Sequence, residues 1–222
     1  MSIVVDHWSD PLCVWAFVAE GRVDDVLARY GDRLAVRWRV VPVFGSVPAR
    51  FAHGAWKDAG PAGRAEATAK LAARFGVSGV TGQVWIDDPP ASTWSPSAAV
   101  AAVRLAEGAG ELPGGATGRY LRALRHRFFA ENLNVARRSA QAETAEALAL
   151  PWAPIAAALD DGRALAALWE DHEERVRLGI QGSPTWVFDG GRAMLYGNVS
   201  EGVLRATVAE LVAGVEPGAS RC

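Results

Sequence analysis

Cysteine is nearly absent. The 222-residue chain holds only Cys13 and Cys222, so no disulfide framework staples this fold, and a reducing compartment suits it. A surplus of either charge is missing too: 23 Lys and Arg stand against 25 Asp and Glu, with a pI near 6.1. That balance leaves no basic stripe for nucleic acid. No apolar run reaches the roughly 18 residues of a membrane span, and the opening Met1-Ser2-Ile3-Val4-Val5-Asp6-His7 has no basic stretch leading into one. The protein is therefore expected in the cytoplasm, with neither nucleic acid nor a membrane as partner. His7, His53, His126 and His172 are dispersed without metal-ligand spacing, so no metal is expected, and His172 between Asp171 and Glu173 reads as a solvated helix face. The serines lack a G-x-S-x-G elbow and no G-x-x-x-x-G-K-[ST] loop occurs, which leaves hydrolase and nucleotide-binding readings without support.

What is present is a core and a clear order of elements. Half of the residues are apolar, enough for one sizeable domain or a small domain with an insertion. Ile3 to Trp8 reads as a strand, Val14 to Tyr30 as a helix, and Leu34 to Val41 as a strand with Leu34, Val36, Trp38 and Val40 alternating. With the short turn Gly31-Asp32-Arg33 this is a βαβ unit with parallel strands. Near the other end, Thr185 to Phe188 and Ala193 to Tyr196 flank the turn signal Asp189-Gly190-Gly191, which predicts a β-hairpin. Ser200 then caps a helix to about Ala213, with Val203, Leu204, Val208, Leu211 and Val212 on its apolar side. Between them lie helical pieces at about Pro61 to Phe75, Pro96 to Gly108, Thr117 to Glu131, Arg138 to Leu148, Pro154 to Leu159 and Arg163 to Leu178. Ser95-Pro96 supplies a cap and first-turn proline, while Gly76 and Gly179 supply stops.

The β-forming parts sit at the two ends, so the helices are most simply an insertion into an α/β domain. The expected division is 1–43 with 180–214, an inserted unit 44–179, and a flexible tail 215–222.

Cys13 stands in Trp8-Ser9-Asp10-Pro11-Leu12-Cys13-Val14-Trp15-Ala16, where an apolar strand ends and a helix begins. The first helical N–H groups and the helix dipole favour a thiolate there, and the expected pKa falls toward the ~3.5–7.5 range of helix-terminal cysteines. Taken alone, Cys13 is more readily a small buried hydrophobe. Three residues on, where a C-x-x-C motif has its second cysteine, stands Ala16. Asp10 reads as a cap or turn residue, or as a group tuning the thiol.

The run Asp10-Pro11-Leu12-Cys13-Val14-Trp15-Ala16 is similar to a D-P-x-C-P-W-C site, and Gly179-Ile180-Gln181-Gly182-Ser183-Pro184-Thr185-Trp186-Val187-Phe188 to a G-V-x-G-V-P-T-F signature. Phe128-Phe129-Ala130-Glu131-Asn132-Leu133-Asn134-Val135 carries a weaker likeness. On these stretches the chain resembles the DsbA-like thioredoxin-fold oxidoreductases with a helical insertion, including FrnE-type enzymes and the related kappa-class glutathione transferases. The resemblance implies a thioredoxin fold, βαβ then ββα, with a large α-helical insertion. It also implies a cis Ser183-Pro184 bond facing Cys13, where Pro184 would otherwise be a strand-starting trans proline. Such a bond presents the backbone of Ser183 to an extended peptide or thiol tripeptide.

The implied function is monothiol thiol–disulfide exchange. Cys13 is the nucleophile, and a small thiol cosubstrate, glutathione or mycothiol, clears the mixed disulfide because no second motif cysteine can; no bound cofactor is implied. Ser183, Pro184, Thr185, Asp10 and Pro11 form the implied binding surface. Trp15 is either core or groove rim, and Gly197 and Asn198 either line the groove or form an ordinary turn. Trp85, Ser92, Thr93 and Trp94 either wall Cys13 or pack between units. Two rivals stand beside this reading: a kappa-type transferase or isomerase, in which Cys13 only hydrogen-bonds the cosubstrate sulfur, and a degenerate fold kept as a binding or chaperone module. Nine tryptophans leave room for a homodimer interface. In a thioredoxin fold the last helix runs away from the active-site end, so Cys222 is not expected to resolve the mixed disulfide.

Overall fold

The computed structural model describes residues 2–214; Cys222 and the expected tail 215–222 lie outside them. Its elements are β1 (Ile3–Ser9), α1 (Val14–Val18), α2 (Glu20–Tyr30), β2 (Leu34–Val40), α3 (Val47–Ala52), α4 (Gly60–Arg74), α5 (Val84–Asp87), α6 (Trp94–Gly108), α7 (Ala116–Phe129), α8 (Arg138–Ala147), α9 (Trp152–Asp160), α10 (Arg163–Leu178), β3 (Thr185–Phe188), β4 (Ala193–Tyr196) and α11 (Glu201–Ala213). The four strands form one sheet in the order β2-β1-β3-β4. β1 runs parallel to β2, Ile3 beside Leu34 and Ser9 beside Val40, and antiparallel to β3, Trp8 beside Thr185. β3 and β4 form the hairpin, whose turn takes positive φ at Asp189, Gly190 and Gly191. This is the thioredoxin-like arrangement expected from the βαβ and ββα segments.

β1 is central and buried almost throughout. On one face, Val5, Trp186 and Phe188 pack with Val23 and Val26 of α2 and with Leu204, Val208 and Leu211 of α11. On the other, Trp8 and Val187 pack with Val41 and Ile180. The helices build a larger cluster around α6, whose residues from Ala98 to Val103 are all buried. A helix apolar all round belongs at the centre of a bundle, and α7, α9 and α10 all pack on it. Leu12, Val14, Val18 and Val40 join the same cluster, so the helical core reaches the segment that carries Cys13. Among the described residues no helix is long and apolar enough to cross a membrane.

Four local readings need correction. The helix expected from Val14 to Tyr30 is interrupted at Ala19, whose carbonyl accepts from Arg22 N–H as well as Val23 N–H and tightens that turn. α6 starts at Trp94 rather than after a Ser95 cap, because the Ser95 hydroxyl donates to Ala136 C=O at 2.8 Å. α9 begins at Trp152, with Pro154 inside its first turn, where the missing N–H costs nothing. The presumed solvated face beside His172 is not solvated at Asp171. That side chain is fully buried and receives Arg39 at 2.9 Å, Arg104 at 2.7 Å and Val40 N–H at 3.2 Å. It pins α10 and α6 to β2, and leaving such a buried group without its partner costs about 3–5 kcal/mol.

α7 meets β2 through Gly118: a Cβ there would fall 2.6 Å from Trp38 Nε1. Gly118→Ala gains roughly 1 kcal/mol of helix propensity and incurs the larger cost of overpacking, so the variant should be destabilised by about 1–2 kcal/mol. Urea unfolding measures this, and an unchanged or raised midpoint would contradict the close approach.

Candidate active site

β1 ends at Ser9, and the chain turns through Asp10-Pro11-Leu12, closed by Cys13 N–H to Asp10 C=O at 3.2 Å. Cys13 thereby becomes the N-cap residue of α1, with φ −85° and ψ 111°. Its Sγ donates to Ser183 C=O at 3.3 Å across the gap between β1 and the loop before β3. The Ser183–Pro184 peptide is cis. Thr185 Oγ1 donates to Gly182 C=O at 2.8 Å, and Gly197 N–H to Pro184 C=O at 2.8 Å. Cys13, Ser183, Pro184, Thr185 and Gly197 are thus brought together at one end of the sheet.

Asp10 is more than a turn residue. Its side chain is fully buried and accepts from Leu12 N–H at 2.7 Å, Val43 N–H at 2.6 Å and the Thr93 hydroxyl at 2.8 Å. Its own N–H donates to Ser183 Oγ at 2.9 Å. Burial raises the carboxyl pKa to about 6 against the pull of these hydrogen bonds and of Arg125. Pro11 beside it is buried. Thr93, weighed from sequence only as a wall or packing residue, is in fact the side-chain partner of Asp10.

The expected fall of the Cys13 pKa is overturned. Cys13 is 5% exposed, and burial pushes its thiol above the ordinary value, opposed by Ser183 and the Ala16 backbone and aided by the Asp10 charge. No side-chain capping hydrogen bond forms at the start of α1. The dipole argument was local, whereas desolvation comes from the surrounding fold.

The remaining candidates divide. Trp15 is not core: it is 43% exposed, its ring set edge-on to Phe75 with centroids 5.8 Å apart. Arg22 lies over the same Phe75 at 5.4 Å and donates to Asn198 Oδ1, so Asn198 is tethered to α2 while its Nδ2 is buried without a partner. Trp94 is exposed beside Thr93. Trp85, by contrast, is fully buried against Phe44, Trp56 and Phe128 and is core, not a wall over Cys13. Below the site, Arg125 donates to Ser9 Oγ and to Glu20 at 3.0 Å, and burial above all raises the Glu20 pKa. His7 is buried edge-on between Trp38 and Trp186 with both ring nitrogens unpartnered. Burial first, then Arg125 and Arg122, lowers its pKa to about 3. Among the described residues no three His, Cys, Asp or Glu gather as a metal site.

The profile of the DSBA-like thioredoxin domain matches residues 4–209. A solved structure described as a probable DsbA oxidoreductase from Streptomyces coelicolor is 22% identical with a TM-score of 0.71, covering 99% of this chain and 94% of that one. The cytosolic disulfide reductase DsbM from Pseudomonas aeruginosa is 20% identical, TM-score 0.69, covering 95% and 98%; a second DsbM structure contains GSH. A 2-hydroxychromene-2-carboxylate isomerase is 18% identical, TM-score 0.63, covering 94% and 95%. At these identities the likeness is one of fold. No curated protein matches the sequence.

Asp10 and His7 bias stability in opposite directions. The folded chain holds a proton on Asp10 that the unfolded chain releases, so that contribution is present below about pH 4 and is lost as pH rises through about 6. His7 stays neutral when folded, so its contribution is present above about pH 6.5 and is lost as pH falls toward about 3. Asp10→Asn removes the first slope alone. The unfolding free energy of the variant should rise relative to wild type by about 1 kcal/mol per pH unit between about pH 4 and 6. Urea titrations at three pH values test this; a pH-independent difference would sink the assignment.

Proposed function

The chain belongs to the DSBA-like thioredoxin-domain family, and on that premise we propose that it is a thiol–disulfide oxidoreductase working through the single thiol of Cys13. The observation that carries this reading is the Cys13 sulfur lying 3.3 Å from the Ser183 carbonyl, with Ala16 where a second cysteine would stand. The deprotonated sulfur attacks one sulfur of R–S–S–R, the new Cys13–S–S–R bond forms as the old bond breaks, and R–S⁻ leaves and takes a proton from solvent. A second small thiolate R′–S⁻ then attacks the R sulfur of the mixed disulfide. It forms R–S–S–R′ and returns Cys13 as thiolate, with no net change in oxidation state.

Burial keeps the resting thiol protonated, and its hydrogen points at Ser183 C=O. An extended partner pairs with this same backbone: its N–H takes the carbonyl in place of the thiol hydrogen, and the released S–H gives its proton to solvent before the sulfur attacks. The Ser183 N–H makes no hydrogen bond among the described residues, so it is open to the partner's carbonyl. Glutathione or a similar small thiol serves as the clearing cosubstrate, a reading that the DsbM structure with GSH supports by analogy.

The protonated resting state favours one alternative, a kappa-type transferase or isomerase in which the Cys13 S–H donates a hydrogen bond to the cosubstrate sulfur. The two readings part at Cys13→Ser, since a hydroxyl still donates but does not form a mixed disulfide. Expected for the exchange reading is a Cys13 adduct with an oxidised small thiol, seen by intact mass and cleared by added thiol, and abolished exchange in Cys13→Ser. Retained turnover in that variant would transfer the assignment to the alternative.

Two further outcomes are expected. Alkylation of the free protein by iodoacetamide should have its pH midpoint above the ~8.5 of an ordinary cysteine, and a midpoint below 7 would contradict the buried, protonated thiol. Ala16→Cys should close an internal Cys13 disulfide on mild oxidation, read as protection of both thiols from alkylation. Two thiols that remain freely alkylated would show that the helix start is not shaped like a dithiol site.

A further inference from the structure

We propose that Arg64 and Arg50, set over the rings of Phe44 and Trp56, form a subsite for a carboxylate carried by the small thiol or disulfide that reacts at Cys13. The proposal rests on the exchange reading and names the chemistry of its cosubstrate.

Arg64, on the first turns of α4, has its guanidinium carbon 4.5 Å from the Trp56 ring centre, 5.1 Å from that of Trp85 and 5.6 Å from that of Phe44. Arg50 of α3 stands over Phe44 at 5.2 Å and Trp56 at 5.3 Å. Two guanidinium groups therefore share one aromatic wall. Elsewhere the chain treats inward-facing arginines differently: Arg125 binds Glu20, Arg104 binds Asp171, and Arg39 binds Asp6 and Asp171. Among the described residues neither Arg64 nor Arg50 has a carboxylate within ion-pair distance, and Arg64 Nε is buried with no hydrogen-bond partner. Arg50 donates to Val43 C=O. Burial, with Arg50 adding to it, lowers the Arg64 pKa to about 10.

Stacking uses the face of a guanidinium and leaves its edge, where the N–H fork lies, for an in-plane acceptor. A carboxylate fits that fork with two parallel hydrogen bonds. The wall is joined to the thiol through the backbone: Val43 N–H binds Asp10, Phe44 C=O accepts Thr93 N–H, and the Thr93 hydroxyl returns to Asp10. Arg64 lies within electrostatic range of both Cys13 and Asp10, and α4 packs on α1. A ligand whose sulfur lies at Cys13 thus has a cationic, aromatic-walled neighbour. Glutathione, with two carboxylates, fits such a subsite, and mycothiol, with none, does not.

The test compares three symmetric disulfides on the wild-type protein: 3,3′-dithiodipropionate, bis(2-hydroxyethyl) disulfide and cystamine. Each rate of adduct formation at Cys13 is divided by the rate of the same disulfide with a simple free thiol, which removes intrinsic reactivity. The expected result is a normalised preference of about tenfold for the dicarboxylate over the neutral disulfide, with cystamine slowest, and a fall of that ratio toward one in Arg64→Met. Equal normalised rates for the acidic and neutral disulfides in wild type overturn the subsite and leave the exchange reading standing. No adduct with any of the three overturns both. The wild-type series decides the matter even where Arg64→Met fails to fold.

Discussion

Asp10 is fully buried, and the contacts to its oxygens come from neutral donors: two backbone N–H groups and the Thr93 hydroxyl. Those donors belong to the turn after β1, the segment after β2 and the residue before α6, while Ser183 takes the Asp10 N–H from the loop before β3. One residue therefore ties four stretches of chain together. Hydrogen bonds to a charged group are worth about 1.5–3 kcal/mol each, and the effective penalty for burying a carboxylate is several kcal/mol. The sums are of the same order, and the raised pKa of about 6 shows desolvation slightly ahead. The geometry of Cys13 depends on this balance, because the turn that Asp10 closes is the one that delivers the sulfur to Ser183.

The sulfur itself answers to the same contest with a different result. An N-cap position offers a thiolate the start of a helix, but α1 is only five residues long and its cap makes no side-chain hydrogen bond. Against this weak local help stand nearly complete burial and the nearby Asp10 charge. The resting protein therefore stores a protonated thiol held against the Ser183 carbonyl. A buried, protonated thiol also resists adventitious oxidation, and that protection matters for a site with Ala rather than a second cysteine at position 16.

How far the chain could be read in advance follows from the range of the interactions. Strands and hairpin were legible because alternation at Leu34, Val36, Trp38 and Val40 and the Asp189-Gly190-Gly191 turn are local signals, and α10 runs from Arg163 to Leu178 as expected because Gly179 adopts the left-handed stop at its end. The start of α6 was misread because the Ser95 hydroxyl is drawn to Ala136, 41 residues away. Thr93 was misweighed for the same reason, its partner Asp10 lying 83 residues off. The direction of the Cys13 pKa was misjudged because a helix start is visible in sequence and a burial is not. Trp15 and Trp85, the same residue type, separate into exposed and buried only once α4 and α7 are packed.

The loss of the second motif cysteine changes what the rest of the surface must supply. In a dithiol site the resolving thiol is tethered, and its effective concentration is set by the fold; with Ala16 in that place, the proposed exchange requires an external thiol gathered from solution. Gathering requires binding energy placed beside the sulfur but not on it, so that product is released once the sulfur–sulfur bond has exchanged. An arginine over aromatic rings, without a carboxylate of its own, meets that requirement: the cation is already desolvated and oriented, so little reorganisation accompanies capture of an anion. Pairing Arg64 to an internal Asp or Glu, as the chain does for Arg125 and Arg104, would stabilise the fold and abolish the capture. On this view the unpaired cation and the missing cysteine are linked features, the first compensating kinetically for the second.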